Sequence, residues 1–204
     1  SKLYQISFFE LSMKENLSQF LESVYGKRIK IKESNSASGG CINQTQVISL
    51  SNGERVFLKH NPNPPENFFA VEVKGLHLLA KAKDGPHVPR PLGVSLEPNP
   101  QFLLMEYIEP SSLKSGFPTR FARALAELHR ETQEQYGLDH DNFIGKTVQK
   151  NNKESDGVIF FREHRIRFQQ ELARKTRGLP KDMDRRLDKF CEKLETMLNF
   201  KNEK

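Results

Sequence analysis

A lysine stands where an ammonium group needs a partner: Lys59 closes the apolar run Val56-Phe57-Leu58. Upstream lies a Ser/Gly loop, SASGGCINQT (36–45), in which Gly39 and Gly40 permit close backbone approach. Ser38 and Asn43 could add hydrogen bonds, and Cys41 stands at the bend. A strand, a glycine loop and a return strand fold backbone N–H groups over phosphates. Downstream, Glu72 in FFAVEVKGL (68–76) is the candidate carboxylate for Lys59. The segment FLLMEYI (102–108) then offers the Glu106 carbonyl and the Ile108 N–H to an adenine, with Tyr107 between them and Met105 behind. Taken singly, these are a hairpin tip, two surface ions and a core strand. Their order and spacing point instead to a nucleotide site.

The elements that must position these residues follow from periodicity. Ser12 and Glu15 read as a capping box for a helix carrying Leu17, Phe20, Leu21 and Val24, ended by Gly26. Ile29 and Ile31 alternate with basic residues as a half-buried strand, and Glu33 to Asn43 reads as loop. Gln44–Leu50 and Arg55–His60 are strands joined by an Asn52-Gly53 turn. A helix is expected over 66–82, with Phe69, Val73, Leu76 and Leu79 on one face, then strands over 92–96 and 102–108. After Pro110 the chain turns helical: a helix ends near His129, a polar segment covers 131–155, and amphipathic helices occupy 158–175 and 181–198. The expected division is therefore 1–108, an N-terminal helix and a nucleotide-binding lobe, and 109–204, a hinge and helical lobe.

Composition sets the outer limits. The chain has 204 residues, 36% hydrophobic and 28% charged, which is too apolar for disorder and too polar for a membrane protein. No apolar run nears the roughly 20 residues of a membrane span, and no secretory signal is evident. Cys41 and Cys191 form no CxxC pair, which argues against a disulfide scaffold or zinc cluster and makes the cytoplasm the expected compartment. The net charge of +6 comes from 32 Lys+Arg against 26 Asp+Glu. Much of that excess lies in the alternating tail from Arg162, the pattern of a solvated helix face, so no nucleic-acid partner is expected. Two short strings mislead. Gly145-Lys146-Thr147 lacks the earlier glycine of a phosphate loop, where His140 stands, and His140-Asp141-Asn142 has no metal-binding Asp motif after it.

The ordered segments SGGCINQT, VFLKHN, EVKGL, VPRPLGV, LLMEYI, LAELHR, DNFIGKTVQKN and FFREHRIRFQQELA resemble the fructosamine (ketosamine) kinases, relatives of the aminoglycoside phosphotransferases. The resemblance runs from about Ser36 to Ala173, and DNFIG with Thr147, Gln149 and Asn151 is its specific part. It implies an α+β, protein-kinase-like fold with a five-stranded antiparallel upper lobe and an incomplete helical lower lobe. It also implies phosphorylation by ATP, with Mg, of a sugar hydroxyl on a small-molecule or protein-bound ketosamine. Asp141 and Asn142 could meet that sugar or cap the turn before Phe143. The HGD-type catalytic loop and the following metal-binding Asp motif are absent from the 204 residues. The catalytic residues are thus expected beyond Lys204, no metal ligand is assigned within the chain, and the chain alone is expected to be inactive. The alternative is a non-catalytic nucleotide-binding or regulatory fragment. Ile166, Leu172, Leu187, Phe190 and Leu194 are expected to lack partners and to favour self-association or local disorder, and Cys41 is either a plain loop residue or a redox handle.

Overall fold

The structure, a computed structural model, describes residues 2–37, 42–95, 100–176 and 178–198, with side chains from Met13 onward. It divides into two compact units, Ser1–Leu128 and His129–Lys204.

The first unit is built on an antiparallel sheet of five strands in the order β1-β2-β3-β5-β4. These are β1 (Ile31–Ser36), β2 (Gln44–Leu50), β3 (Arg55–Asn61), β4 (Pro91–Val94) and β5 (Gln101–Glu106). β5 has neighbours on both sides and is buried from Gln101 through Met105, which is why it reads as a continuous apolar run. β1 is an edge strand exposed along its length. It begins after the buried Ile29 and runs through Ser36, so part of the expected loop is strand. Its polar residues pair by backbone with β2 and need no apolar face, and Ser34 Oγ donates to Gln46 Oε1 at 2.8 Å. The turn between β2 and β3 falls where Asn52-Gly53 placed it, with Asn52 Oδ1 accepting from Glu54 N at 3.1 Å.

Helix α1 (Lys2–Tyr25) covers one face of the sheet. Phe20 and Leu21 are buried there with Ile48, Leu50, Val56, Leu58, Phe102 and Leu104, and Leu17 and Val24 pack around them. The helix begins well before Ser12, so the expected capping box lies inside it. No Gly or Pro interrupts residues 2–25, and nothing therefore stops the helix from extending upstream. α1 passes so close to β4 that a Cβ on Gly93 would lie 2.3 Å from Val24 Cγ2. Helix α2 (Phe68–Leu79) buries Phe68 and Phe69, and the Phe69 N–H donates to Gln101 Oε1 at 3.4 Å. Helix α3 (Phe117–Leu128) completes the unit.

The second unit is not purely helical. Its expected polar segment contains a hairpin of β6 (Asn142–Ile144) and β7 (Thr147–Gln149), with Ile144 opposite Thr147. The two-residue turn is Gly145-Lys146, and Gly145 takes φ +65°, a backbone that glycine adopts without strain. Asp156 then caps α4 (Gly157–Phe161), accepting from the N–H groups of Val158 and Ile159 at 2.7 and 3.0 Å. The helix continues through a π-helical stretch, Arg162–Arg167, into α5 (Phe168–Thr176), and α6 (Lys181–Met197) follows. Leu194 is fully buried and Ile166, Leu172, Leu187 and Phe190 are half-buried, so the expectation that they lack partners does not hold. The helices find partners in one another. The charged tail is likewise more than a solvated face: Arg167 pairs with Asp188, Arg174 pairs with Asp184 at 2.7 Å, and buried Gln170 donates to Asp184 Oδ1 at 2.6 Å.

Candidate nucleotide site

Side chains alternate along β3. Val56, Leu58 and His60 face α1, while Phe57 and Lys59 face the other way beside Met105 and Leu103 of β5. Lys59 thus leaves a rigid central strand on the α2 side, and Glu72 comes from one turn inside α2 to meet it. Lys59 Nζ donates to Glu72 Oε1 at 2.5 Å, with the two side chains 21% and 29% exposed. An ammonium group has three N–H donors, and two remain for an anion. The two residues named from sequence are therefore brought together by the fold.

The remaining candidates are distributed around this pair. Gly39, Gly40 and Cys41, and Ser38 beside them, lie outside the described residues. The base of their loop is held on both sides, by Ala37 N to Thr45 O at 2.9 Å and Thr45 Oγ1 to Ala37 O at 2.8 Å. Asn43 does not stand alone: its Oδ1 accepts from Asn61 Nδ2 at 3.0 Å, and Asn61 Oδ1 accepts from Asn63 N at 3.0 Å. Asn61 is buried and links Asn43 to Asn63, a connection that sequence reasoning passed over. Its signal was present in VFLKHN, where an amide at the end of a strand faces the start of its neighbour.

The Glu106, Tyr107 and Ile108 positions follow β5 out of the sheet. The Glu106 carboxylate accepts from Arg90 N at 3.2 Å and lies 3.1 Å from His87 Nε2. The Arg90 N–H is the chief reason its pKa sits below the usual carboxylate value, with His87 adding to it. The side chain is thereby held by the preceding loop, in keeping with a role for its backbone. The Arg55 guanidinium lies 4.6 Å from the Tyr107 ring centroid and pairs with Glu109. Ile108 is 47% exposed.

In the second unit, Asp141 and Asn142 belong to one polar network. Asp141 Oδ2 accepts from Lys150 Nζ at 2.5 Å and Oδ1 from Asn151 N at 3.1 Å. Asn142 Oδ1 accepts from Asn151 Nδ2 at 2.9 Å. Asn151 is only 2% exposed, and its Oδ1 accepts from Arg165 Nη2 at 2.7 Å. Arg165 also donates to the Lys150 carbonyl and lies 4.5 Å from the Phe160 ring centroid. Arg165 is therefore not on the solvated helix face expected of the tail from Arg162. Burial pushes the pKa of Asp141 up, but the hydrogen bonds from Lys150 and Asn151 and the charges of Lys150 and His164 outweigh it and leave the carboxyl below its ordinary value. Among the described residues no group of three or more His, Cys, Asp or Glu could hold a metal ion. No helix among them is long and apolar enough to cross a membrane.

The family model described as fructosamine kinase matches residues 13–203. A protein of Enterococcus faecium named "probable ketoamine kinase" is 38% identical over 138 residues, covering 68% of this chain and 47% of its own. The chloroplastic protein-ribulosamine 3-kinase of Oryza sativa subsp. indica is 35% identical over 150 residues, covering 72% and 43% respectively. The crystal structure of a fructosamine-3-kinase candidate from Haemophilus somnus superposes with a TM-score of 0.75 at 28% identity, over 88% of this chain and 60% of that one. The chain spans about half the length of the curated relatives it matches. The fold is α+β and protein-kinase-like, with the five-stranded antiparallel sheet as its upper lobe. With residues 13–203 of its 204 matched by the family model, the chain belongs to the fructosamine kinase family.

Proposed function

We propose that the first unit binds ATP and that the protein uses it to phosphorylate a sugar hydroxyl of a ketosamine, free or protein-bound. The observation that carries this reading is the Lys59–Glu72 pair, held at 2.5 Å between β3 and α2. Lys59 offers its two remaining N–H donors and its charge to the phosphates, and Glu72 keeps the ammonium group from swinging away. The Asn43–Asn61 bond braces the far end of the same loop. The backbone at Glu106 and Ile108 takes the adenine edge, and Tyr107 is fixed between them by Arg55. In the second unit Asn142 is the candidate for a sugar hydroxyl, because Asp141 has both oxygens engaged. The names of the relatives, ketoamine kinase and ribulosamine 3-kinase, supply the substrate class.

Phosphoryl transfer also needs a carboxylate to orient the attacking hydroxyl and acidic ligands for magnesium. The described residues provide no cluster fit for that metal. No HGD-type loop occurs in the 204 residues. The 204-residue chain should consequently bind ATP without turning over. Calorimetric titration with ATP should give saturable binding, and a coupled ADP-release assay with a fructosamine and magnesium should stay at background. Failure to bind ATP would overturn the nucleotide site, and magnesium-dependent turnover would overturn the inactivity.

A further inference from the structure

On the opposite face of the sheet from Lys59 lies a cavity of about 1320 Å³, between α1, the segment leading into β1, and strands β2, β3 and β5. Its floor is apolar, made by Leu17, Leu21, Leu58 and Phe102. Lys14, Arg28 and Lys30 also line it, while no Asp or Glu among the described residues does. None of these three cations is ion-paired with a described carboxylate. His60 lines the same cavity at 6% exposure, and its Nδ1 has no hydrogen-bond partner among the described residues. A buried polar atom left unpaired is uncommon in a finished core. An apolar concavity with a few converging polar groups is the ordinary form of a small-molecule site. Here the charges that the described residues bring to the cavity are all of one sign, which selects an anion carried on an apolar body.

We propose that this cavity binds a medium-chain carboxylate, its alkyl chain over Leu17, Leu58 and Phe102 and its head group among Lys14, Arg28 and Lys30. The site is separate from the nucleotide site: Lys59 and His60 are consecutive on β3, and their side chains leave opposite faces of the sheet. A ligand here would clamp α1 onto the strand that carries Lys59. It would do so without touching the ATP phosphates.

The test uses the 204-residue chain and 11-(dansylamino)undecanoate, followed by fluorescence below micellar concentration. Saturable one-to-one binding is expected, displaced by laurate and at least tenfold less well by dodecanol or dodecyltrimethylammonium. The double charge reversal Lys14→Glu with Arg28→Glu should weaken laurate at least tenfold, with the fold checked by circular dichroism. Ser18→Trp, at an exposed position of α1 on the cavity, should weaken it by filling space while leaving the charges in place. Saturating ATP should not displace the probe. Absence of saturable binding, equal displacement by the neutral or cationic chain, undiminished binding by both variants, or displacement by ATP would each overturn the proposal.

Discussion

Replacing Glu72 with Gln removes the carboxylate that holds Lys59 at 2.5 Å and leaves the shape of the side chain almost unchanged. With the partners 21% and 29% exposed, the pair lies between two limits. Exposed pairs contribute about 0.2–1 kcal/mol, and removing one partner of a buried pair costs about 3–5 kcal/mol. Solvent reaches both groups here, so about 1.5 kcal/mol is a reasonable intermediate, equivalent to about a tenfold loss of affinity for a ligand that needs Lys59 in place. Lys59→Met removes the charged hydrogen bond itself, worth about 1.5–3 kcal/mol, or about 10- to 150-fold. Adenosine carries no phosphate and should bind equally well to the wild type and both variants. Because Glu72 acts through Lys59, the double variant should bind ATP no worse than Lys59→Met alone, within about 0.5 kcal/mol. Calorimetry on the four proteins with ATP and adenosine measures every quantity in that cycle. Additive losses for ATP, or equal losses for adenosine, would refute the argument that Glu72 works by positioning an ammonium group for phosphate.

Three further outcomes follow from the same geometry. Arg165→Lys should lower stability by about 2 kcal/mol in urea unfolding, because an ammonium group cannot reproduce the fork that reaches both Asn151 and the Lys150 carbonyl; an unchanged midpoint would show the network to be dispensable. Gly93→Ala should destabilise by about 1–3 kcal/mol through its clash with Val24, and Val24→Ala in the same background should restore most of the loss in thermal melts. Asp141 has a folded pKa below its ordinary value, so its stabilising contribution is present above the unfolded pKa of about 3.9 and is lost as pH falls through the folded value. Asp141→Asn should therefore lower stability at pH 7 and flatten its decline below about pH 4, measured by urea midpoints from pH 6 to 3.

What the sequence made legible depended on how strongly burial wrote its period into each element. β2 occurs at Gln44–Leu50, the bounds its alternation and flanking turn signals predict. Lys59 and Glu72 were recognisable because a charge inside an apolar strand demands a partner. β1 was shortened because an edge strand exposed along its length has no apolar face to betray it. The β6–β7 hairpin has three residues in each strand, too few for any period to be read. A cue was nevertheless present, since Asn-Phe-Ile and Thr-Val-Gln flank a Gly-Lys pair suited to a two-residue turn. α1 lost its first turns to a capping signal that was locally correct but overridden, because Ser12 and Glu15 cap only where the chain upstream leaves the helix.

The harder distinction is between polar residues that build a site and polar residues that build the protein, for both kinds are Asp, Asn, Lys and Arg in close spacing. Composition cannot separate them, but hydrogen-bonding capacity can. Asp141 has both oxygens engaged by Lys150 and Asn151, and Asn151 has its oxygen on Arg165 and its amide shared between Asn142 and the His140 carbonyl. A network so closed at Asp141 and Asn151 fixes the hairpin to the π-helical turn and leaves these two residues little for a ligand. Lys59 is the opposite case: one N–H anchors it and two remain. By the same accounting Asn43 is half committed, to Asn61 through its oxygen. The capacity left over after folding, rather than the presence of reactive residue types, is what sets Lys59 apart from Asp141 as a candidate for binding a ligand. None of it is visible until the partners have been brought together.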